Sequence, residues 1–213
     1  ERLAESPETR YRGFRSTDRR SESFRHFVLD GGTSSSRFGR GTGVPLIDEQ
    51  TPASRMRWWM NLWPPFLFQG IRITEIDAEF QFAVVRVRKT ILTRNLMGTT
   101  FGGALFSAAD PFFPILYWRY LALQGISSTC WSRAIRGEFI QPANRSVELR
   151  FVIDTAQLEH ACSEMKSHGR IDLEDVVEAR LPDGAIAARF HVTSALRGKE
   201  PGSAPLHQIN SLD

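Results

Sequence analysis

Residues 101–124 form the longest apolar stretch of the chain. A strand is far shorter than this, so the stretch is expected to be helical. Its length also suits a membrane span, but Asp110, Pro111, Pro114 and Arg119 lie inside it. An Asp at the bilayer midplane costs roughly 3 kcal/mol on insertion scales. A buried central helix, kinked near Pro111, fits better, and no transmembrane segment is expected. Enclosing such a helix needs a large apolar lining, and a hydrophobic content of 41% is enough for a sizeable core.

On both sides of this stretch the hydrophobic period becomes that of strands. Ile71, Ile73 and Ile76 alternate with polar residues. After a bend near Asp77-Ala78 the alternation resumes with Phe80, Phe82, Val84 or Val85, and Val87, while Arg86 and Arg88 face the other way. Four more strands are expected at 129–140, 147–154, 173–181 and 185–196, the last entered through the turn Pro182-Asp183-Gly184. Residues 155–168 read as a short helix with Leu158, Ala161, Cys162 and Met165 on one face. Upstream, Thr51-Pro52 reads as the N-cap and first position of a helix carrying Met56, Trp59, Met60 and Trp63, closed by Trp63-Pro64-Pro65. The order predicts an α+β fold, an antiparallel sheet wrapped around one long central helix.

Residues 1–50 show no hydrophobic period and contain Gly- and Ser-rich runs, and 199–213 have the same character. Both are expected to be extended tails of low complexity flanking a domain at 51–198, with too little apolar surface to offset their own ordering. The leading segment is rich in Arg and Ser but also carries Glu1, Glu5, Glu8, Asp18 and Glu22. Targeting peptides are poor in acids, so it reads as a mature tail downstream of a cleavage point. A mitochondrial location is the expectation, with the cytoplasm as the alternative. The formal charge is +3 and the arginines are dispersed among acids, which argues against nucleic acid as a partner. Cys130 and Cys162 have neither C-x-x-C spacing nor clustered histidines, so no metal and no cofactor are expected, and both read as buried free thiols.

One segment resembles a known superfamily. It runs Asn95-Leu96-Met97-Gly98-Thr99-Thr100-Phe101-Gly102-Gly103, then Ala104 to Asp110. Many hotdog-fold thioesterases, the phenylacetyl-CoA type among them, have an Asn or Gln, then His-Gly-Gly opening the central helix, then a carboxylate nine residues after the His. Here Asn95 lies six residues before Phe101 and Asp110 nine after it. Together with Asn61-Leu62-Trp63-Pro64-Pro65-Phe66 and Asp110-Pro111-Phe112, the segment is similar to an uncharacterised thioesterase-like branch in which Phe replaces the motif His. The resemblance covers roughly residues 51–198.

The resemblance implies a hotdog fold binding acyl-CoA or an acyl-carrier thioester at a homodimer interface. Asp110, Gly102 and Asn95 would be catalytic, and Thr100, Phe101 and Gly103 would contact substrate. Gly102 would offer its N–H to the oxyanion, Asp110 would activate water or attack directly, and Asn95 would position that water or the thioester. Thioester hydrolysis needs such parts: a base, and donors aimed where negative charge develops. A second expectation comes from the departures. Phe101 cannot polarise a carbonyl, and Pro114, one turn beyond Asp110, offers no hydroxyl to help hold the thioester or the carboxylate. The domain would then be a catalytically silent accessory subunit of a large assembly, with Arg10, Arg12, Phe14, Arg15, Arg19 and Arg20 anchoring its tail.

Overall fold

A computed structural model describes residues 47–199. Helices α1 (Ala53–Leu62) and α2 (Pro64–Phe68) precede strands β1 (Ile71–Ile76) and β2 (Phe82–Val87). Helices α3 (Gly102–Ala109) and α4 (Phe112–Leu123) come next, followed by β3 (Ser128–Phe139), β4 (Val147–Val152), α5 (Thr155–His168), β5 (Arg170–Arg180) and β6 (Ile186–Gly198). The strands form one antiparallel sheet in the order β1-β2-β4-β5-β6-β3. This is the α+β hotdog arrangement that the periodicities and the resemblance predict.

The inward residues of the alternating strands, such as Ile73, Val85, Leu149, Phe151, Val177 and Phe190, share one core with α3 and α4. Ala104, Ala108 and Ala109 keep the α3 face shallow, so backbone can lie close to sheet. The bulk comes from α4: Phe112 and Phe113 pack on Phe151 with ring centroids 4.9 and 5.1 Å apart. Burying one such ring stabilises by about 1.5–3 kcal/mol. In β3, Gly137 makes room for rings that cross the strand: a Cβ there would lie 2.6 Å from Phe106 and 2.7 Å from Phe190.

The central helix does more than kink. α3 ends at Ala109 and α4 begins at Phe112, because Pro111 has no N–H to continue the ladder. Asp110 and Pro111 keep right-handed helical dihedrals, so the chain runs on without doubling back. The Ser132 hydroxyl donates to the Asp110 carbonyl at 2.6 Å.

The expected cap at Thr51 is corrected. Helix α1 starts one residue later, with Pro52 at the N-cap and no side-chain cap. The Thr51 hydroxyl is turned back instead, donating to Asp48 Oδ1 at 2.7 Å and accepting the Asp48 N–H at 2.9 Å. Further along α1, Asn61 grips the edge of β1: Oδ1 accepts the Ile73 N–H at 2.7 Å and Nδ2 donates to the Ile73 carbonyl at 3.0 Å. That satisfies part of an otherwise open sheet edge.

Residues 47–50 pack on the domain, with Glu49 Oε1 accepting from Lys199 Nζ at 2.8 Å and from the Ser127 hydroxyl at 3.0 Å. The rest of both tails, with the arginine and phenylalanine anchors expected there, lies outside the described residues.

Candidate functional site

The first turn of any helix leaves N–H groups without intrahelical acceptors. At α3 the residue that could cap them is Phe101, which has no acceptor on its side chain; its backbone is extended at φ −61° and ψ 125°. The Phe101 N–H donates to the Thr93 carbonyl at 2.9 Å, and its carbonyl accepts the Ala104 N–H at 3.0 Å. The N–H groups of Gly102 and Gly103 have no acceptor among the described residues. They coincide with the positive end of the helix dipole, where negative charge is stabilised.

Both glycines have packing reasons as well. A Cβ on Gly103 would fall 2.4 Å from the Phe101 ring, so the glycine lets that half-exposed ring fold over the first turn. A Cβ on Gly102 would stand 3.1 Å from the Phe139 ring. Gly102 also lines a cavity of about 560 Å³, together with Asn95, Thr100, Leu105, Phe139 and Ala143.

Asn95 is beside this cavity, but its side chain is committed to its own loop. Oδ1 accepts the N–H groups of Met97 and Thr99, at 3.0 and 3.1 Å, and Nδ2 donates to the Thr99 hydroxyl at 2.9 Å. Thr100 is buried, its N–H on the Ala143 carbonyl at 2.9 Å. These two residues shape the wall and fasten the approach to α3.

Asp110 is elsewhere. It sits at the opposite end of α3, about 12 Å from Gly102 along the axis at 1.5 Å per residue, and is not part of the cavity wall. It is exposed, and its carboxylate bonds to no group among the described residues. The Asp110 carbonyl, left without an intrahelical donor because Pro114 has no N–H, accepts from the Ser132 hydroxyl instead. Beside Asp110 opens a second cavity of about 520 Å³ with almost wholly apolar walls, Met56, Met60 and Trp63 facing Pro111, Ile115 and Trp118. Pro114 is buried in α4.

Other groups escape a reading by motif. Asp175, on β5, is buried, and its Oδ1 accepts from Tyr117 at 3.1 Å and Gln157 at 2.9 Å while Oδ2 has no partner. Burial raises its pKa to about 6, against the opposing effect of those two hydrogen bonds. Its sequence signal is an acid in the inward phase of Leu173, Asp175, Val177. The cysteines are half-buried and unpaired, and burial pushes the Cys130 thiol up to about 12, far from a nucleophile's range. No group of three metal-ligating side chains occurs among the described residues, and none of the described helices is long and apolar enough to cross a membrane.

Sheet and central helices together define a hotdog fold. The chain belongs to the family described as a domain of unknown function, DUF4442, which matches residues 53–196. Among solved structures it is similar to a Pseudomonas aeruginosa protein of unknown function described as a probable thioesterase, with 15% identity, 70% of this chain and 97% of the other covered, and a TM-score of 0.59. It is also similar to a Chlorobaculum tepidum protein of unknown function (14% identity, 71% and 100% covered, TM-score 0.55) and to a Haemophilus influenzae thioesterase (10%, 75% and 99%, TM-score 0.53). At these identities the likeness is one of fold. A comparison with curated proteins gives no match.

Proposed function

We propose that this domain binds acyl thioesters of CoA or an acyl carrier and hydrolyses them slowly, as a homodimer. The observation that carries the reading is the uncapped start of α3, where the Gly102 and Gly103 N–H groups are free beside a cavity. A thioester carbonyl placed there would have its developing oxyanion stabilised by those donors. The base is Asp110 of a second copy, because within one chain Asp110 stands at the wrong end of the helix. It takes a proton from water as the water oxygen bonds to the carbonyl carbon. Collapse of the tetrahedral intermediate then breaks the C–S bond, and the thiolate leaves to be protonated.

Two features favour a second copy. β3 is an edge strand of the sheet, and Leu96, Met97, Phe101, Phe139 and Ile140 expose a large apolar area around the cavity. Such areas mark interaction surfaces.

The accessory-subunit reading draws on Phe101, which stands where the enzymes have His, and on Asn95, whose side chain is used up by its own loop. The mitochondrial location expected from the leading residues is compatible with both readings. Thiol release from a panel of acyl-CoA substrates separates them. The wild type should turn over slowly and Phe101→His faster; silence in both, with folding verified by circular dichroism, favours the accessory role.

A further inference from the structure

Helix α1 is apolar on two opposite faces. Ala53, Met56 and Met60 point into the core. On the other side Trp58 and Leu62, one turn apart, are exposed. The short helix α2 continues that surface: Phe66 alone is buried, its ring centroid 6.0 Å from that of Phe112, while Leu67 and Phe68 face out. Trp63, between the helices, is exposed as well, and exposure runs from 48% at Leu62 to 71% at Phe68. An ordinary surface helix buries one apolar stripe and leaves the opposite side polar. Five large apolar side chains left in water between Trp58 and Phe68 mark an interaction surface.

Charge and shape say what covers it. No acid occurs between Glu49 and Glu75, whereas Arg55 and Arg57 stand exposed on α1. Neither forms an ion pair among the described residues, and Arg57 donates to the Thr74 carbonyl at 2.7 Å. A second copy docked here by two-fold symmetry would set the same arginines against each other, whereas an anionic surface would gain from both. Leu62, Trp63 and Pro64 also belong to the wall of the apolar cavity of about 520 Å³ beside Asp110, so exposed face and cavity are continuous. A lipid layer matches both features. It carries negative charge at the level of the arginines and, just beneath, flexible hydrocarbon that can enter the cavity.

We propose that the α1–α2 face is a docking site for an anionic lipid surface. Trp58, Trp63, Leu67 and Phe68 enter the boundary between headgroups and acyl chains, where Trp is favoured, and Arg55 and Arg57 meet the lipid phosphates. Docking uses none of the residues around the α3 start and needs no thioester chemistry.

The test mixes the full chain with vesicles of phosphatidylcholine alone and of equimolar phosphatidylcholine and phosphatidylserine. Flotation reads binding, and tryptophan quenching by brominated lipid reads depth. Binding to the anionic vesicles is expected, with quenching that falls in Trp58→Phe/Trp63→Phe. Trp58→Ser/Phe68→Ser should weaken binding by more than about tenfold. Arg55→Gln/Arg57→Gln should cut the preference for anionic vesicles by roughly fivefold per arginine. These side chains are exposed, so the variants should keep the wild-type circular dichroism spectrum. Arginines elsewhere in the chain could also hold it on phosphatidylserine, so undiminished binding by Trp58→Ser/Phe68→Ser overturns the proposal, as does wild-type binding to neither vesicle. So does self-association, measured by sedimentation, that Trp58→Ser/Phe68→Ser abolishes, since it would give this face to a second copy.

Discussion

Helices α3 and α5 begin in opposite ways. At α5 the chain supplies its own finish: Asp154 Oδ1 accepts the Gln157 N–H at 2.7 Å, and Gln157 Nε2 reaches on to Asp175, which also receives Tyr117. The Gln157 N–H and side-chain amide there both end on acceptors of the same chain. At α3 the corresponding residue is Phe101, and the donors of Gly102 and Gly103 are left over. A helix start costs little to cap, since Ser, Thr, Asp or Asn suffices. An uncapped start beside a cavity is what the proposed thioester site requires, whereas the α5 start is closed by Asp154.

The largest effect should come from the open end. Asp110→Asn should lower thioester hydrolysis by ~10²–10⁴-fold, with an unchanged circular dichroism spectrum and midpoint, because the carboxylate bonds to nothing among the described residues. An unaltered rate would remove Asp110 from the chemistry and leave α3 without a base.

The next effect belongs to the closed end and depends on pH. Burial raises the Asp175 pKa from 3.8 to about 6, so between those values the folded chain holds a proton that the unfolded chain has released. Its contribution to stability is present at low pH and is lost as pH rises through about 6. Asp175→Asn keeps an acceptor for Tyr117 and Gln157 but cannot ionise. Its stability relative to the wild type, from urea unfolding at pH 4 to 7.5, should improve with rising pH by roughly 3 kcal/mol at most. A difference that does not vary with pH would mean that Asp175 reaches water.

Two smaller effects exchange the capping patterns. Asp154→Ala should lower stability by ~1 kcal/mol and leave thioester turnover unchanged. Phe101→Asp transplants the α5 pattern onto α3 and should raise stability by about 0.5 kcal/mol. A loss instead would show that the Gly102 and Gly103 donors already have a partner.

What was legible in the sequence follows the range of the interactions involved. Alternation and helical spacing are local, and β1, β2, α5 and β6 fall close to where Ile71, Phe82, Thr155 and Ala185 placed them. The start of α3 was legible because Phe101-Gly102-Gly103 is contiguous. Thr51 was misplaced because the reading could not weigh a competing partner, Asp48, three residues back. The far wall of the α3 cavity, Phe139 to Ala143, depends on β3 pairing with β6, and no local pattern marks it. Arg119 and Asp175 were visible only as charges out of phase with apolar neighbours. Their meaning depends on atoms brought in by Thr51, Phe80, Tyr117 and Gln157.

The Glu49–Lys199 contact also bears on how this domain tolerates rewiring. With the Glu49 carboxylate and the Lys199 ammonium 2.8 Å apart, domain entry and exit lie within side-chain reach of each other, so a short linker could join them, and new termini could be opened at a surface turn such as Pro182-Asp183-Gly184. Adjacent termini are what make circular permutation and domain insertion feasible. By the same geometry, residues 47–199 could be spliced into a loop of a host protein without prying that loop apart.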